Sequence, residues 1–276
     1  MYEIRPVWPE GKRCAVMVSL NLNGELFWLG LDSKAEQMPK TLSLGQYGLT
    51  RGLNRVLEAL EVRKIRGTCF VPGWIAEQYE EKVRRIVDGG HEIGALGYHH
   101  ENMALLTVAE QEEAMRKSVS AIEDACGVRP MGFRSPEGEL TMDTLRIAGN
   151  YGMVYSSNLC DDDRPYWKDL GDGQEMLEIP IHWANYDLPY FAFNYRPAFP
   201  AGQSRIAGYT GVLQNWKDEF DGCLEYGLCY VLALDPAQIG SPGRIGLLEE
   251  LLDYMMEKDG VWFVSGRELY EYECEK

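Results

Sequence analysis

The stretch Gly90 to Asn102, GHEIGALGYHHEN, carries three of the chain's four histidines, His91, His99 and His100. It reads as a metal-binding loop with one ligand missing. Two further runs bring polar side chains to strand ends. SLNLNGE holds Asn21, Asn23 and Glu25, and LALDPAQIGSPGR holds Asp235. MGFRSPEGE adds Arg134, Glu137 and Glu139. A carboxylate pair such as Glu25 with Asp235 would do acid/base work without a metal by sharing one proton.

These groups need elements that converge. CAVMVSLNL, GTCFVPG, HEIGALG, MGFRSPEGE, YGMVYSSNL, MLEIPIHW and GLCYVLALDP read as strands or strand-loop units. LTRGLNRVLEALEVRKI has apolar positions at Leu53, Val56, Leu57 and Leu60, the spacing of an amphipathic helix. AEQYEEKVRRIVDGG is a helix stopped by Gly89-Gly90. TVAEQEEAMRKSVSAIEDACG opens with a capping box, Thr107 to Glu110, and ends at Gly127. GRIGLLEELLDYMMEKDG is a further helix, and VWFVSGRELYEYE closes the chain. Strands alternating with helices imply βα units, parallel strands and one mouth where the strand ends meet. The segment 161–203 is rich in aromatics and prolines and lacks a helical period, so long loops over that mouth are expected.

At 276 residues, 45% hydrophobic and 25% charged, the chain is expected to form one domain, residues 1–276. A net charge of -16 argues against nucleic acid and anionic membranes as partners. No apolar signal core follows a basic start, and no run approaches the ~18 apolar residues of a membrane span. Seven scattered cysteines without a CxxC pair read as reduced thiols, and a cytoplasmic location is expected.

GTCFVPGWIAEQY, GGHEIGALGYHHEN, GFRSPEGELT, YSSNLCDDDRPYW, EIPIHWANYDLPYF, NWKDEFD and LALDPAQIGSPGRI occur in that order. On these runs, from about residue 8 to 270, the chain resembles the polysaccharide deacetylase family with the NodB homology domain. The nearest branch in kind is the intracellular one of peptidoglycan-deacetylase-like proteins and metal-independent allantoinases. The resemblance implies an α/β fold, a distorted (β/α) barrel that hydrolyses C–N bonds in N-acetyl sugars or cyclic ureides. It also implies a homo-oligomer, with the homotetramer of the intracellular relatives as the form to expect. A typical member carries Asp-x-Asp, one Asp as base and one as metal ligand, a His-x-x-x-His pair on zinc, an orienting arginine, and a late acid histidine before proline.

At the matched positions this chain has Asn21-Leu22-Asn23, then Leu96-Gly97-Tyr98-His99-His100, then Asp235-Pro236. Arg134 matches the orienting arginine; Trp183 and Asp187 match the substrate loop. Amide hydrolysis needs an activated water, a place for oxyanion charge and a proton for the leaving nitrogen. Zinc wants three protein ligands plus water, and Asn23, Leu96 and His100 offer one good one. No zinc or other cofactor is therefore expected, and His100 is a vestigial ligand.

Three readings stay open. In the first, the mouth binds a small polar ligand such as an N-acetyl sugar or ureide without ordinary deacetylation, as a pseudoenzyme. Asn21, Asn23, His100, Arg134 and Asp235 form its floor, Trp183 and Asp187 its walls, and Glu137 is a further ligand contact. In the second, a metal-independent hydrolase works with Asn21, Arg134, Asp235 and Glu25. The third is an interaction or structural subunit. Arg134 either orients the site or pairs with Asp235. His91 is expected in a backbone hydrogen bond and His99 on a loop surface. His182 is divided between strand-face packing and the pocket. Trp74, Trp167, Trp216 and Trp262 are read as packing residues.

Overall fold

The computed structural model describes residues 8–136, 139–171, 173–201 and 206–276. Strand β1 (Cys14–Asn21) leads into helices α1 (Leu26–Leu31) and α2 (Pro39–Tyr47), a π-helical turn (Gly48–Gly52) and α3 (Leu53–Val62). Then come β2 (Thr68–Val71), α4 (Gly73–Gln78), α5 (Glu80–Asp88), β3 (Glu92–Ala95), α6 (Val108–Cys126), β4 (Gly132–Phe133), α7 (Met142–Asn150) and β5 (Tyr155–Ser156). The middle holds β6 (Tyr166–Gly171), β7 (Gln174–Glu178), α8 (Leu188–Phe191), β8 (Asn194–Tyr195) and β9 (Ala198–Phe199). The last elements are α9 (Tyr209–Tyr226), β10 (Cys229–Leu234), α10 (Pro236–Ile239), α11 (Ile245–Met256), β11 (Val261–Phe263) and α12 (Gly266–Cys274).

The strands run in the order β10-β1-β2-β3-β4-β5-β7-β6, with β11 on the start of β1. Within this sheet every pair is parallel except β6–β7. One bridge, Tyr186 to Ala233, joins the chain beyond β7 back to β10. The mostly parallel sheet with helices around it is the α/β fold expected; of the barrel's closure this single bridge is the part seen among the described residues. Helices cover its outside, so β1 is buried along its whole length, as parallel strands require.

Alternation along β1 divides the core. Cys14, Val16, Val18 and Leu20 face the helices. Ala15 and Met17 face inward with Phe70, Leu96, Leu177, Val231 and Ala233. The same alternation turns Ser19 and Asn21 inward, as a polar layer above that apolar plug.

The capping box at Thr107 and Glu110 is present, and Gly127 ends α6 with φ 70°. The segment 161–203 is not simply loop: the β6–β7 hairpin, α8 and the β8–β9 ribbon lie in it. The half-exposed alternation of β6 is the physical signature of a covering hairpin strand. Trp216 is buried, but Trp167 stands 40% exposed beside the Tyr270 ring. Among the described residues no helix is long and apolar enough to cross a membrane.

Backbones meet closely where the site is held. A Cβ on Gly52 would lie 1.9 Å from the Pro236 carbonyl, and one on Gly48 would lie 2.7 Å from the Ala237 nitrogen. The two glycines let the π-helical turn seat α10, which Asp235 caps.

Candidate active site

Asn21, Asn23, His100, Arg134 and Asp235 converge at the mouth end of the barrel, and all five are buried. Asn23 is the centre of a row. Its Oδ1 lies 3.1 Å from His100 Nε2, and its Nδ2 donates to Asp235 Oδ2 at 3.1 Å. His100 reaches the row from a backbone in the left-handed region, φ 65°, which a non-glycine residue adopts at a cost.

Arg134 forms the lower layer. Nη1 donates to Ser19 Oγ and to Asn21 Oδ1, both at 2.9 Å. Nε donates to the Ser157 carbonyl at 3.0 Å, and Nη2 to Ser157 Oγ at 2.8 Å. The guanidinium lies 4.2 Å from the centre of the Phe70 ring. The expected alternative pairing with Asp235 does not occur, because Asn21 and the Ser157 side of the barrel take the donors. Among the described residues Arg134 makes no ion pair, and burial lowers its pKa. Beside it, Glu178 accepts from the Asn158 and Leu159 amides at 2.6 and 2.7 Å.

The neighbour of Asp235 is Asp187, not Glu25. Asp187 accepts from the Asp235 amide at 2.9 and 3.0 Å and from the Ile239 amide at 3.1 Å. It is buried beneath Asp235 rather than on a wall, and burial and the Asp235 charge raise its pKa well above the carboxylate range. Glu25 instead accepts from Tyr79 Oη at 2.8 Å, and its buried Oε2 has no partner among the described residues. The shared proton expected of Glu25 and Asp235 thus has no hydrogen bond to carry it. Trp183 is 59% exposed and packs its ring 5.2 Å from Tyr186, at the rim. Glu137 lies outside the described residues.

The other histidines play local parts. His91 Nδ1 accepts from the Gly67 amide at 3.0 Å. His99 is exposed, against Tyr98 and Trp74. His182 is in neither place expected: it meets Asp163 at 3.1 Å on the surface.

The donor set does not fit a divalent metal. Leu96 lies in the apolar cluster inside the ring, Asn23 offers an uncharged amide, and His100 is the one good ligand of the three positions. Among the described residues no group of three or more His, Cys, Asp or Glu side chains is placed to share an ion.

Burial lowers the His100 pKa to about 4 from 6.5. Burial raises that of Asp235 to about 6 from 3.8, against hydrogen bonds from the Ala237 amide and Asn23. Stability from the raised Asp235 is present below its unfolded value and is lost as pH rises through about 6. Stability from the depressed His100 is present above 6.5 and is lost as pH falls through about 4. The two slopes oppose each other in the same window. Asp235→Asn removes one of them, so between pH 6.5 and 4 the variant is expected to lose about 2 kcal/mol more than the parent. Urea midpoints at both ends and the middle of that window test this; parallel curves for the two proteins would count against it.

The sequence profile of the family described as polysaccharide deacetylase matches residues 45–156. A peptidoglycan deacetylase of Helicobacter pylori is 26% identical over 284 residues, 94% of this chain and 95% of that protein. A crystal structure of a Mycobacterium smegmatis protein assigned to the polysaccharide deacetylases superposes with TM-score 0.92 at 30% identity, over 99% of this chain and 96% of that one. The structure of Puue allantoinase superposes with TM-score 0.81 at 24% identity, over 98% and 93% of the two chains, a likeness of fold alone.

Proposed function

Because the chain belongs to the polysaccharide deacetylase family, we propose that its barrel mouth binds a small polar ligand with an amide or ureide group and does not carry out ordinary metal-dependent deacetylation. The observation that supports this most is the row His100–Asn23–Asp235. An amide stands where the family uses a carboxylate ligand, wired to an imidazole on one side and an acid on the other. Donors and acceptors alternate along it, which suits a ligand that itself carries N–H and C=O groups. Asn21 is held by Arg134 in the same spirit. An amide there cannot take a proton from water near neutral pH, and a lost base costs ~10²–10⁴ in rate.

A thermal-shift titration with N-acetylglucosamine, hydantoin and acetamide tests the reading, alongside zinc by elemental analysis. At least one ligand is expected to raise Tm, and Asn23→Ala to remove the effect. Zinc is expected well below one per chain. A native protein with one zinc per chain, or one that cleaves N-acetylglucosamine oligomers briskly, would end it.

One observation favours a second reading, a metal-independent amide or ureide hydrolase. With its pKa lifted to about 6, Asp235 is ionised at pH 7 yet basic enough to exchange a proton. It would take a proton from water adding to the carbonyl carbon and return it to the leaving nitrogen as the C–N bond breaks. Turnover that vanishes in Asp235→Asn, with ligand binding retained, would select this reading over the first.

A further inference from the structure

A cavity of about 380 Å³ lies on the flank of the mouth, beside α10. Trp28, Tyr47, Phe191 and Phe193 line it, with Gln238 and Arg244 as its main polar groups. The Arg244 guanidinium lies 5.1 Å from the Phe191 ring centre. Its hydrogen bonding is incomplete. Nη1 reaches Gln238 Oε1 at 3.4 Å, and the buried Nε has no acceptor among the described residues. A buried donor left without an acceptor costs stability. Asp187 is close enough for its charge to interact with Arg244. Both its oxygens, however, are taken by the Asp235 and Ile239 amides. A guanidinium grips a carboxylate with two parallel bonds, along one edge or at its end.

The walls are braced from outside the cavity. Arg55 donates to Tyr47 Oη at 2.6 Å and to the Gly240 carbonyl at 2.8 Å, tying α2 to the end of α10. We propose that this pocket binds a small carboxylate with a flat apolar face, the carboxylate on the Arg244 guanidinium and the flat face against the aromatic walls. It is a site distinct from the row at Asn23, and it does not depend on the reading of that row.

Calorimetry of the full chain at pH 7 with sodium benzoate, and with benzamide as its uncharged counterpart, tests the proposal. Benzoate is expected to bind, and benzamide to bind at least about tenfold more weakly. Arg244→Gln should weaken benzoate by about tenfold or more, and so should Arg244→Lys, which keeps the charge without the planar fork. Phe193→Ala should weaken both probes. The lysine variant keeps the test open if the glutamine variant does not fold. The proposal is overturned by equal binding of benzamide and benzoate, by benzoate affinity that survives both Arg244 variants, or by no benzoate heat at tens of millimolar.

Discussion

Asn21→Asp, Asn23→Asp, Leu96→His and Asp235→His, introduced together, are expected to turn a mouth without useful zinc affinity into a zinc site with Kd below about 1 µM, some -8 kcal/mol of binding. Three protein ligands and an open fourth position are what such an ion needs. His100 already points its Nε2 at the side chain of Asn23, 3.1 Å away. Exchanging that amide for a carboxylate adds charge without moving the backbone. Position 96 directly follows β3, and its amide donates to the Val71 carbonyl at 3.1 Å, so its direction is fixed. An imidazole there replaces a buried leucine among apolar neighbours, and an unsatisfied polar group in such a place costs ~1–3 kcal/mol. Zinc binding offsets that loss by mass action, about 4 kcal/mol at a thousandfold excess over Kd. The variant should therefore melt below the parent without zinc and rise steeply with it, while the parent stays unmoved. Calorimetry with ZnCl₂ and melting with and without chelator decide it. A folded variant that takes up no zinc would mean that the matched positions are wrong.

What could be read from the sequence followed from local signals. Strand β1 showed itself as an unbroken apolar run, α6 as a capping box closed by glycine, and β10 as a run ending in Asp-Pro. The same strand-end logic brought Asn21, Asn23, His100, Arg134 and Asp235 to one place, and the structure puts them together. Alternation alone also sets Ser19 two residues from Asn21 on the same face. Helix α9 carries a local signal of the same kind, the buried stripe Val212, Leu213, Trp216, Phe220 and Leu224.

Other features had no local signal to find. Ser157 accepts from Arg134 across a two-residue strand too short to show a period. The burial of Asp187 depends on β10, which the Tyr186–Ala233 bridge brings against it, and no local pattern signals that. Gly48 and Gly52 matter only because Pro236 and Ala237 come against them from the far end of the chain. Whether Glu25 meets Asp235 or Tyr79 is likewise a matter of how α1 and α4 are packed, and Tyr79 takes it.

Arg134→Met is expected to cost about 3 kcal/mol, the balance of opposed effects of several kcal/mol each. On one side, the buried cation has no ion-pair partner among the described residues, and burial lowers its pKa. Removing it relieves part of a desolvation penalty of several kcal/mol. On the other side, the Ser157 carbonyl and Asn21 Oδ1 both lose a charged donor. Each acceptor orphaned in a buried place costs ~1–3 kcal/mol. The stack on Phe70 adds up to ~2 kcal/mol where water is absent. The hydroxyls of Ser19 and Ser157 can turn, and Ser19 already donates to the Leu232 carbonyl at 2.9 Å, so they lose less. The loss of two fixed acceptors and the stack outweighs the relief. Asn21→Ala removes one acceptor and should cost about 1 kcal/mol. The double variant should cost less than the sum by about 1 kcal/mol, because the two side chains share a bond. Urea denaturation of the four proteins gives all three figures. An Arg134→Met protein within about 0.5 kcal/mol of the parent would show that the guanidinium is a tolerated charge rather than the support on which Asn21 is built.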